Sequence, residues 1–224
     1  AYKTITKAKN SSDKRNNLNQ IIDNYFNILN PPSWRVYSLS ALMDNNWIKL
    51  GTTHQYDNPW ISVTEDQVIN PAGNKGIYGI VHFKNLAIGV IPMDREGNIY
   101  MVGQYRYVTG KYSLEIPEGG GPIGIDPLDS AKRELKEETG LQAKNWEKLF
   151  EMDLSNSVTD ERAIVYLATD LEQGEPDPEE TEVLSVSKIH LTEAYQMVLD
   201  GKITDSITIA ALFKMKIKLL ENEK

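Results

Sequence analysis

Residues 119–141 read GGGPIGIDPLDSAKRELKEETGL, a glycine-rich run that passes directly into a segment with helical signals. Asp126 is a favoured N-cap residue, Pro127 suits the first helical position, and Gly140 is a common C-terminal stop. Apolar residues recur at helical spacing on one face, at Leu128, Ala131 and Leu135. The stretch therefore predicts a glycine-rich loop followed by a short amphipathic helix.

Three glutamates lie close together on this predicted helix. Glu134, Glu137 and Glu138 are separated by three and four residues, so we expect their Cβ atoms to be roughly 5–6 Å apart. Like charges at this spacing repel, whereas a hard divalent cation such as Mg²⁺ prefers carboxylate oxygens. An acidic cluster alone is more often a solvated helix face. The glycine run at a fixed distance and Arg133 directly before Glu134 have no use on such a face, so we favour a metal site.

The same stretch resembles the Nudix box, whose pattern is G-x5-E-x7-R-E-U-x-E-E-x-G-U with U an aliphatic residue. The positions in register with the pattern are Gly119, Arg133, Glu134, Leu135, Glu137, Glu138, Gly140 and Leu141. Position 125, where the pattern has its first glutamate, is Ile125. The chain is therefore identified as similar to the Nudix hydrolase superfamily.

Motifs outside the box resemble the ADP-ribose pyrophosphatase group of that superfamily. Residues 114–119 (LEIPEG) are similar to its L-E-x-P-x-G motif, and residues 104–107 (QYRY) resemble the Q-x-R strand that precedes it. Residues 155–161 (SNSVTDE) are similar to the loop after the box, and residues 178–182 (PEETE) resemble part of the C-terminal half. The likeness covers residues 47–220.

The resemblance implies a hydrolase that cleaves the diphosphate of ADP-ribose or a related nucleoside diphosphate sugar, with Mg²⁺ or Mn²⁺ as cofactor. The products would be a nucleoside monophosphate and a sugar phosphate. Metal ligation is implied for the carboxylates of Glu134, Glu137 and Glu138 and for the backbone oxygen of Glu118. Clustered carboxylates suit this reaction, because bound metal ions neutralise diphosphate oxygens and lower the pKa of the attacking water.

The resemblance also implies roles for single residues around the metal site. Glu138, Glu161 and Arg133 are the expected catalytic residues. Glu161 would be the general base or position the water, with an ordinary exposed glutamate as the alternative, and Arg133 would join loop and helix by an ion pair. Arg106 is expected to contact the diphosphate or ribose, with a surface ion pair as the alternative, and Glu115 to orient its neighbours or touch the ribose.

Three positions leave alternatives open. Trp60 is a candidate to stack on an adenine, although a Trp near a strand start is more often part of the core or of an interface. Ile125 can neither bind metal nor pair with Arg133, so we expect Asp129, four residues earlier on the helix, to be the arginine's partner. Asn156 replaces a proline that often accompanies ADP-ribose specificity. A Nudix-fold protein that senses a nucleotide without hydrolysing it is therefore the second interpretation.

The composition of the whole chain excludes several classes of protein. Its 224 residues are 40% hydrophobic and 25% charged, with a formal net charge of −8. This charge argues against a general nucleic-acid binder, which usually carries a basic patch. The chain has no cysteine, which excludes disulfides and thiolate sites. No apolar run approaches the ~20 residues of a membrane span, and no signal-peptide core is seen, so we expect a cytoplasmic protein without a membrane partner.

Three regions of different character follow one another. Residues 1–46 are rich in Asn and contain an apolar pattern at helical spacing over residues 18–29, which indicates an amphipathic helix that covers either its own subunit or a partner. Residues 47–85 read as strands and turns. Since proteins of the resembled group are usually dimers, we expect this N-terminal β region to form the interface of a homodimer. Residues 86–224 are expected to be the hydrolase domain.

Strand patterns surround one internal helix, and two helices close the chain. The strands are predicted at residues 60–69, 76–83, 86–91, 99–104, 112–116, 146–152, 162–168 and 183–188, and the closing helices at 192–199 and 206–220. This order indicates an α/β (α+β) fold rather than a regular βαβ repeat. The resemblance implies a Nudix-type α/β/α sandwich of mixed sheet with a catalytic loop and helix. A purely structural interaction domain is a third possibility, and the Glu137–Glu138 pair argues against it.

Overall fold

The computed structural model describes residues 45–176 and 183–222. The predicted helix over residues 18–29 and the motif at 178–182 lie outside the described residues. The chain divides into two units, residues 1–46 and 47–224, and the second contains every element given below. Among the described residues, no helix has both the length and the apolar character needed to cross a membrane.

The described part of the second unit is a succession of strands interrupted by one helix and closed by two more. The elements are β1 (Ile48–Asp57), β2 (Ile61–Ile69), β3 (Lys75–Phe83), β4 (Asn85–Pro92), β5 (Asn98–Arg106), β6 (Lys111–Glu115), β7 (Glu118–Pro122), α1 (Pro127–Thr139), β8 (Leu141–Asp153), β9 (Arg162–Gln173), β10 (Ser185–His190), α2 (Leu191–Leu199) and α3 (Ser206–Asn222). The strands and helices predicted within the described residues are all present, and β8 and β9 are longer than predicted.

The strands form three sheets. The first has the order β1-β2-β3, and the second has the order β10-β5-β6. The third has the order β7-β4-β9-β8, in which β4 and β9 run parallel and the other pairs are antiparallel. Helix α1 packs on β7, β4 and β8, while α3 packs on β4 and β9.

The mixed four-stranded sheet is buried on both faces. Successive side chains of a strand point to opposite faces. On β4, Ile88 and Val90 belong to the apolar cluster that contains Leu135 of α1, whereas Ile91 belongs to the cluster that contains Leu212 of α3. Full burial of each such side chain contributes about 1.5–3 kcal/mol. The predicted α/β/α sandwich of mixed sheet is therefore confirmed.

Helix α1 begins and ends where its sequence predicts. The Asp126 side chain accepts a hydrogen bond from Leu128 N at 3.0 Å, and Pro127 takes the first turn. Gly140 ends the helix with φ at 73°, in the left-handed region, and its N–H donates to Lys136 O. An N-cap of this kind contributes about 1 kcal/mol. The helix therefore holds its glutamates in a defined place relative to the sheet.

The predicted glycine-rich loop is wrong for residues 118–122, which form the edge strand β7. This strand pairs antiparallel with β4, and its glycines allow α1 to approach it closely. A Cβ on Gly119 would lie 2.2 Å from the carboxyl carbon of Glu134, and one on Gly121 would lie 2.8 Å from Cγ1 of Ile88. The glycines are thus needed because neighbouring side chains fill the space above the strand.

Candidate active site

A cleft of 540 Å³ opens where β6, β7, loop 154–161 and the start of α3 meet. Its charged lining residues are Arg106, Lys111, Glu115, Glu118, Glu161 and Asp205. Gly119 of β7 also lines the cleft and lies against the Glu134 carboxyl of α1, although no residue of α1 is itself among the lining residues. The cleft is therefore the place to test each predicted site residue.

Arg133 of α1 donates hydrogen bonds to three acceptors, of which one, the Gly120 carbonyl, lies on β7. Its Nη2 donates to Glu134 Oε1 at 2.6 Å and to Gly120 O at 2.8 Å, and its Nη1 donates to Glu137 Oε2 at 2.5 Å. The prediction that Asp129 pairs with Arg133 is wrong, since the Asp129 carboxylate pairs with Lys132. Partial burial disfavours the charge of Arg133, but the adjacent carboxylates outweigh it and raise its pKa. The arginine thus fixes the acidic helix against the strand.

The three glutamates of α1 differ in burial. Glu134 and Glu138 are buried, whereas Glu137 is half-buried and bonded to Arg133. Glu138 Oε2 accepts a hydrogen bond from Glu118 N at 3.0 Å, which ties the end of the helix to the first residue of β7. The carboxylates of Glu134 and Glu138 are therefore held close to β7, the strand that begins with Glu118.

Arg106 is clamped by two carboxylates of the L-E-x-P-x-G motif. Its Nε donates to Glu115 at 3.0 Å, and its Nη2 donates to Glu115 Oε2 at 2.6 Å and to Glu118 Oε1 at 2.7 Å. Glu115 is buried, so it serves to orient the arginine. The Nη1 group of Arg106 makes no hydrogen bond with a described residue, and Arg106 lines the cleft. One donor edge of the guanidinium is thus left for a ligand.

Asp205 is a member of the site that the sequence analysis missed. Carboxylate oxygens of Glu115, Glu118 and Asp205 lie within 4.8 Å of one another. Asp205 precedes α3 and also accepts a hydrogen bond from Thr208 N at 2.7 Å. No local pattern distinguishes this aspartate from an ordinary N-terminal helix residue, so only the tertiary structure reveals it. The cleft therefore contains a carboxylate from the residue that directly precedes the last helix.

The carboxylates of the cleft fit a divalent cation. Glu118 Oε2 is buried and has no hydrogen-bond partner among the described residues. Burial, with the charges of Asp205 and Glu115, raises the pKa of Glu118 well above its usual value. Buried carboxylates are normally paired or bound to metal, and hard oxygen ligands are those that Mg²⁺ and Mn²⁺ prefer. An added cation would satisfy the free oxygen and offset the mutual repulsion.

Glu161 lies on loop 154–161, between β8 and β9, and lines the same cleft. Partial burial raises the pKa of its carboxyl above the usual value. A carboxylate with a raised pKa is better suited to accept a proton near neutral pH. The structure thus brings Glu161 together with Arg106, Glu115 and Glu118, which the sequence analysis singled out separately.

Two other positions named from the sequence are not among the residues that line the cleft. Trp60 is 66% exposed beside β2 and is not among the residues that line the cleft of this chain. Ile125 is 54% exposed in the turn between β7 and α1, where its N–H donates to Pro122 O at 3.1 Å. Glu118 was expected to act through its backbone oxygen, whereas its side chain makes the contacts described above.

Comparison with known families gives two adjoining matches. The family described as "NUDIX domain" matches residues 83–211. The family described as "Nucleoside diphosphate sugar hydrolase N-terminal domain" matches residues 47–81. Together the two matches cover almost all of the three sheets, helices α1 and α2, and the start of α3.

Individual relatives and one solved structure agree with those matches. An ADP-ribose pyrophosphatase of Mycobacterium tuberculosis is 39% identical over 67% of this chain and 74% of its own length. A second, from Bacillus subtilis, is 34% identical over 59% of this chain and 72% of its own. A GDP-mannose pyrophosphatase of Yersinia enterocolitica is 29% identical over 77% and 90%. The crystal structure of an ADP compounds hydrolase superposes with a TM-score of 0.71 at 20% identity, covering 79% of this chain and 95% of that one, and shows the same fold.

Proposed function

This chain belongs to the NUDIX domain family, and from that premise we propose that it hydrolyses the diphosphate of ADP-ribose or a related nucleoside diphosphate sugar. The products are a nucleoside monophosphate and a sugar phosphate. The observation that carries the proposal is the cleft in which Arg106 faces the buried carboxylates Glu115 and Glu118, next to Glu161. ADP-ribose is the first candidate substrate because two of the similar relatives are ADP-ribose pyrophosphatases.

The metal site is proposed at the junction of α1 and β7. Glu134 and Glu138, with Glu137 as a third carboxylate and Glu118 from the strand, would hold Mg²⁺ or Mn²⁺. The bound cation supplies charge neutralisation at the diphosphate and lowers the pKa of the attacking water. Arg133 keeps the helix and strand in register for this site through its bond to the Gly120 carbonyl.

The remaining residues bind the substrate and move a proton. The free Nη1 edge of Arg106 would bind a diphosphate oxygen, and the Glu115 carboxylate holds the guanidinium in place before the substrate arrives. Glu161, whose pKa is raised by burial, would orient the attacking water and accept its proton. Each role uses a residue that faces the same cleft.

A nucleotide sensor is the second candidate, favoured by one observation. Ile125 stands where the box has its first glutamate, so this position supplies no carboxylate to a metal site. The carboxylates of the cleft favour the enzyme, because buried carboxylates are normally paired or bound to metal, and the buried Oε2 of Glu118 has no hydrogen-bond partner among the described residues.

We also propose that the protein is a homodimer in which residues 47–85 form the interface. Sheet β1-β2-β3 is largely exposed in a single chain, and β1 contains no buried residue. Large apolar side chains of this region stand in solvent, namely Trp47, Ile48, Leu50, Tyr56, Trp60 and Ile77. Exposed apolar side chains concentrated in one region indicate an interaction surface.

The test of function is phosphate release from ADP-ribose in the presence of alkaline phosphatase. That enzyme removes phosphate from the two monoester products but not from the intact diphosphate. We expect release with Mg²⁺, none in excess chelator, and a loss of about a hundredfold or more in kcat for Glu138→Gln, because a charged ligand is removed. Asp129→Asn, on the same helix but paired only with Lys132, should be fully active.

Three results would decide against the enzyme or its site. Undiminished activity in chelator would exclude a metal-dependent mechanism. An active Glu138→Gln variant would exclude the proposed ligand set. Calorimetric binding of ADP-ribose without any phosphate release would favour the sensor.

A further inference from the structure

Loop 154–161, which carries Glu161, is attached to the edge of β3 by backbone hydrogen bonds. Val81 N donates to Val158 O at 2.9 Å, and Asp160 N donates to Val81 O at 3.3 Å. Val81 and Thr159 form an isolated parallel bridge. The three-stranded N-terminal sheet is thus extended by a short piece of the loop that leads to Glu161.

Side chains reinforce the attachment on both sides of this bridge. Tyr78 donates its hydroxyl hydrogen to Ser157 O at 2.7 Å. Asp160 accepts from Phe83 N at 2.9 Å through Oδ1 and contacts His82 Nδ1 at 2.6 Å through Oδ2. The residue directly before Glu161 is therefore held by two separate groups of β3.

The His82 ring is itself fixed at both nitrogens. Since an ionised carboxylate only accepts hydrogen bonds, Nδ1 donates to Asp160, and Nε2 lies 2.9 Å from Oγ1 of the buried Thr64 on β2. Burial of Asp160 opposes its charge, but the hydrogen bonds from His82 and from Phe83 N outweigh it and hold its pKa below the usual value. The sheet is thus joined to the loop by a charge-assisted hydrogen bond from His82 to Asp160.

The far end of the loop depends on this contact for its shape. Leu154 N donates to Glu161 O at 2.8 Å, and the Thr159 hydroxyl donates to Leu154 O at 2.6 Å. Glu161 N donates to the Thr159 hydroxyl at 3.4 Å, which closes the loop on itself. Because Thr159 also pairs with β3, a shift of the loop away from the strand moves the backbone of Glu161.

We propose that His82 and Asp160 are positioning residues for hydrolysis, which hold loop 154–161 on β3 so that the Glu161 carboxylate faces the cleft. The inference rests on the role given to Glu161 in the proposed function. Its physical basis is the sensitivity of catalysis to placement, since a displacement of about 1 Å costs up to a hundredfold in rate. Strand β3 then positions Glu161 through the loop without touching the substrate.

A double-mutant cycle between His82 and Glu161 tests the proposal. We expect His82→Ala to lower kcat about tenfold, with KM and the Mg²⁺ dependence unchanged, because only the placement of Glu161 is lost. In the Glu161→Gln background the same change should have no further effect on kcat. His82→Asn, which keeps a donor for Asp160, should recover part of the loss. His54→Ala, which removes an exposed histidine of the same sheet, should match the wild type.

Hydrogen exchange of the loop gives a readout that does not depend on activity. Amides of residues 154–161 should exchange faster in His82→Ala, while those of α1 keep their wild-type rates. Wild-type kcat in His82→Ala, an equal loss in both backgrounds, or unchanged exchange of the loop would each overturn the positioning role. Full activity of Glu161→Gln alone would refute the base assignment in the proposed function, and loop exchange would still decide whether His82 holds the loop.

Discussion

Glu118 has one carboxylate oxygen bonded to Arg106 and the other buried without a partner among the described residues. Its pKa is raised in the folded protein, above the 4.5 of an ordinary glutamate, because burial and the charges of Asp205 and Glu115 disfavour ionisation. A group of this kind stabilises the fold at pH below its unfolded pKa, and that stability is lost as pH rises toward the folded pKa. Glu118 therefore makes the metal-free protein less stable at neutral pH than it is at pH below 4.5.

Glu118→Gln should accordingly raise the melting temperature of the metal-free protein at pH 7, and the gain should shrink as pH falls toward 4. Each 1 kcal/mol gained corresponds to about 2–4 °C for a chain of this size. Added Mg²⁺ should stabilise the wild type more than the variant, since the variant has lost a ligand charge. Calorimetric melts across this pH range, with the exposed turn variant Glu96→Gln as control, make the comparison. A lower melting temperature for Glu118→Gln at pH 7 without metal would contradict the assignment of strain to this carboxylate.

Ile125 is the residue at which the chain departs from the box. Its side chain is 54% exposed, so replacing it costs less than the ~1.5 kcal/mol of a fully buried side chain. We expect Ile125→Glu to raise activity at limiting Mg²⁺ and to change little at saturating Mg²⁺, because a further carboxylate near the site strengthens cation binding. Ile123→Glu, in the same turn and also exposed, is the matched control. Identical Mg²⁺ titrations for Ile125→Glu and wild type would show that position 125 lies outside the metal site.

Single residues were predictable from the sequence only where a local motif specifies them. Glu134 and Glu138 follow from helical spacing and the box. The partner of Arg133 did not follow, because acidic residues stand before and after it on the helix, and only the approach of β7 decides which one it meets. Asp205 could not be assigned either, since it joins the cleft through tertiary packing alone.

The glycines of strand β7 leave the space that the Glu134 carboxyl of α1 occupies. A Cβ on Gly119 would meet the Glu134 carboxyl at 2.2 Å, so Gly119→Ala must displace that carboxylate or the helix. We expect a loss of about 1–3 kcal/mol in the free energy of unfolding, as for overpacked sites, together with a fall in kcat. Gly76→Ala on β3, where a new Cβ meets nothing within 4 Å, should have neither effect. Equal stability and activity of Gly119→Ala and wild type would mean that Glu134 is not held against this strand.

At the level of elements, the ends of helix α1 were predicted correctly, whereas the glycine run was predicted as a loop and is a strand. Helix α1 has its signals in its own sequence, with Asp126, Pro127 and Gly140 at its ends. Glycine disfavours strand structure by local propensity, so residues 118–122 read as a loop. Pairing with β4 outweighs that propensity, because β7 gains the backbone hydrogen bonds of the sheet, while the close approach of the Glu134 side chain of α1 leaves no space for a side chain at Gly119.

At the scale of the whole molecule, the three-stranded sheet has an outer strand without buried residues. None of the 10 residues of β1 is buried, and the strand pairs along its length with β2. The same sheet holds loop 154–161 through β3, so its stability bears on the position of Glu161. A second subunit that covers the exposed side of this sheet would stabilise both the sheet and the loop.

The homodimer is therefore the prediction that belongs to this scale. Light scattering should give twice the chain mass of 25.3 kDa at micromolar concentration. Leu50→Asp combined with Ile77→Asp should give single chains. Both natural side chains are more than half exposed in one chain, and the charge of the introduced aspartates would oppose apolar contact with a partner. Leu199→Asp, an exposed leucine at the end of α2, should remain dimeric. A wild-type mass of one chain would refute the interface, whereas single chains of the double variant with a lowered kcat would link assembly to the placement of the catalytic loop.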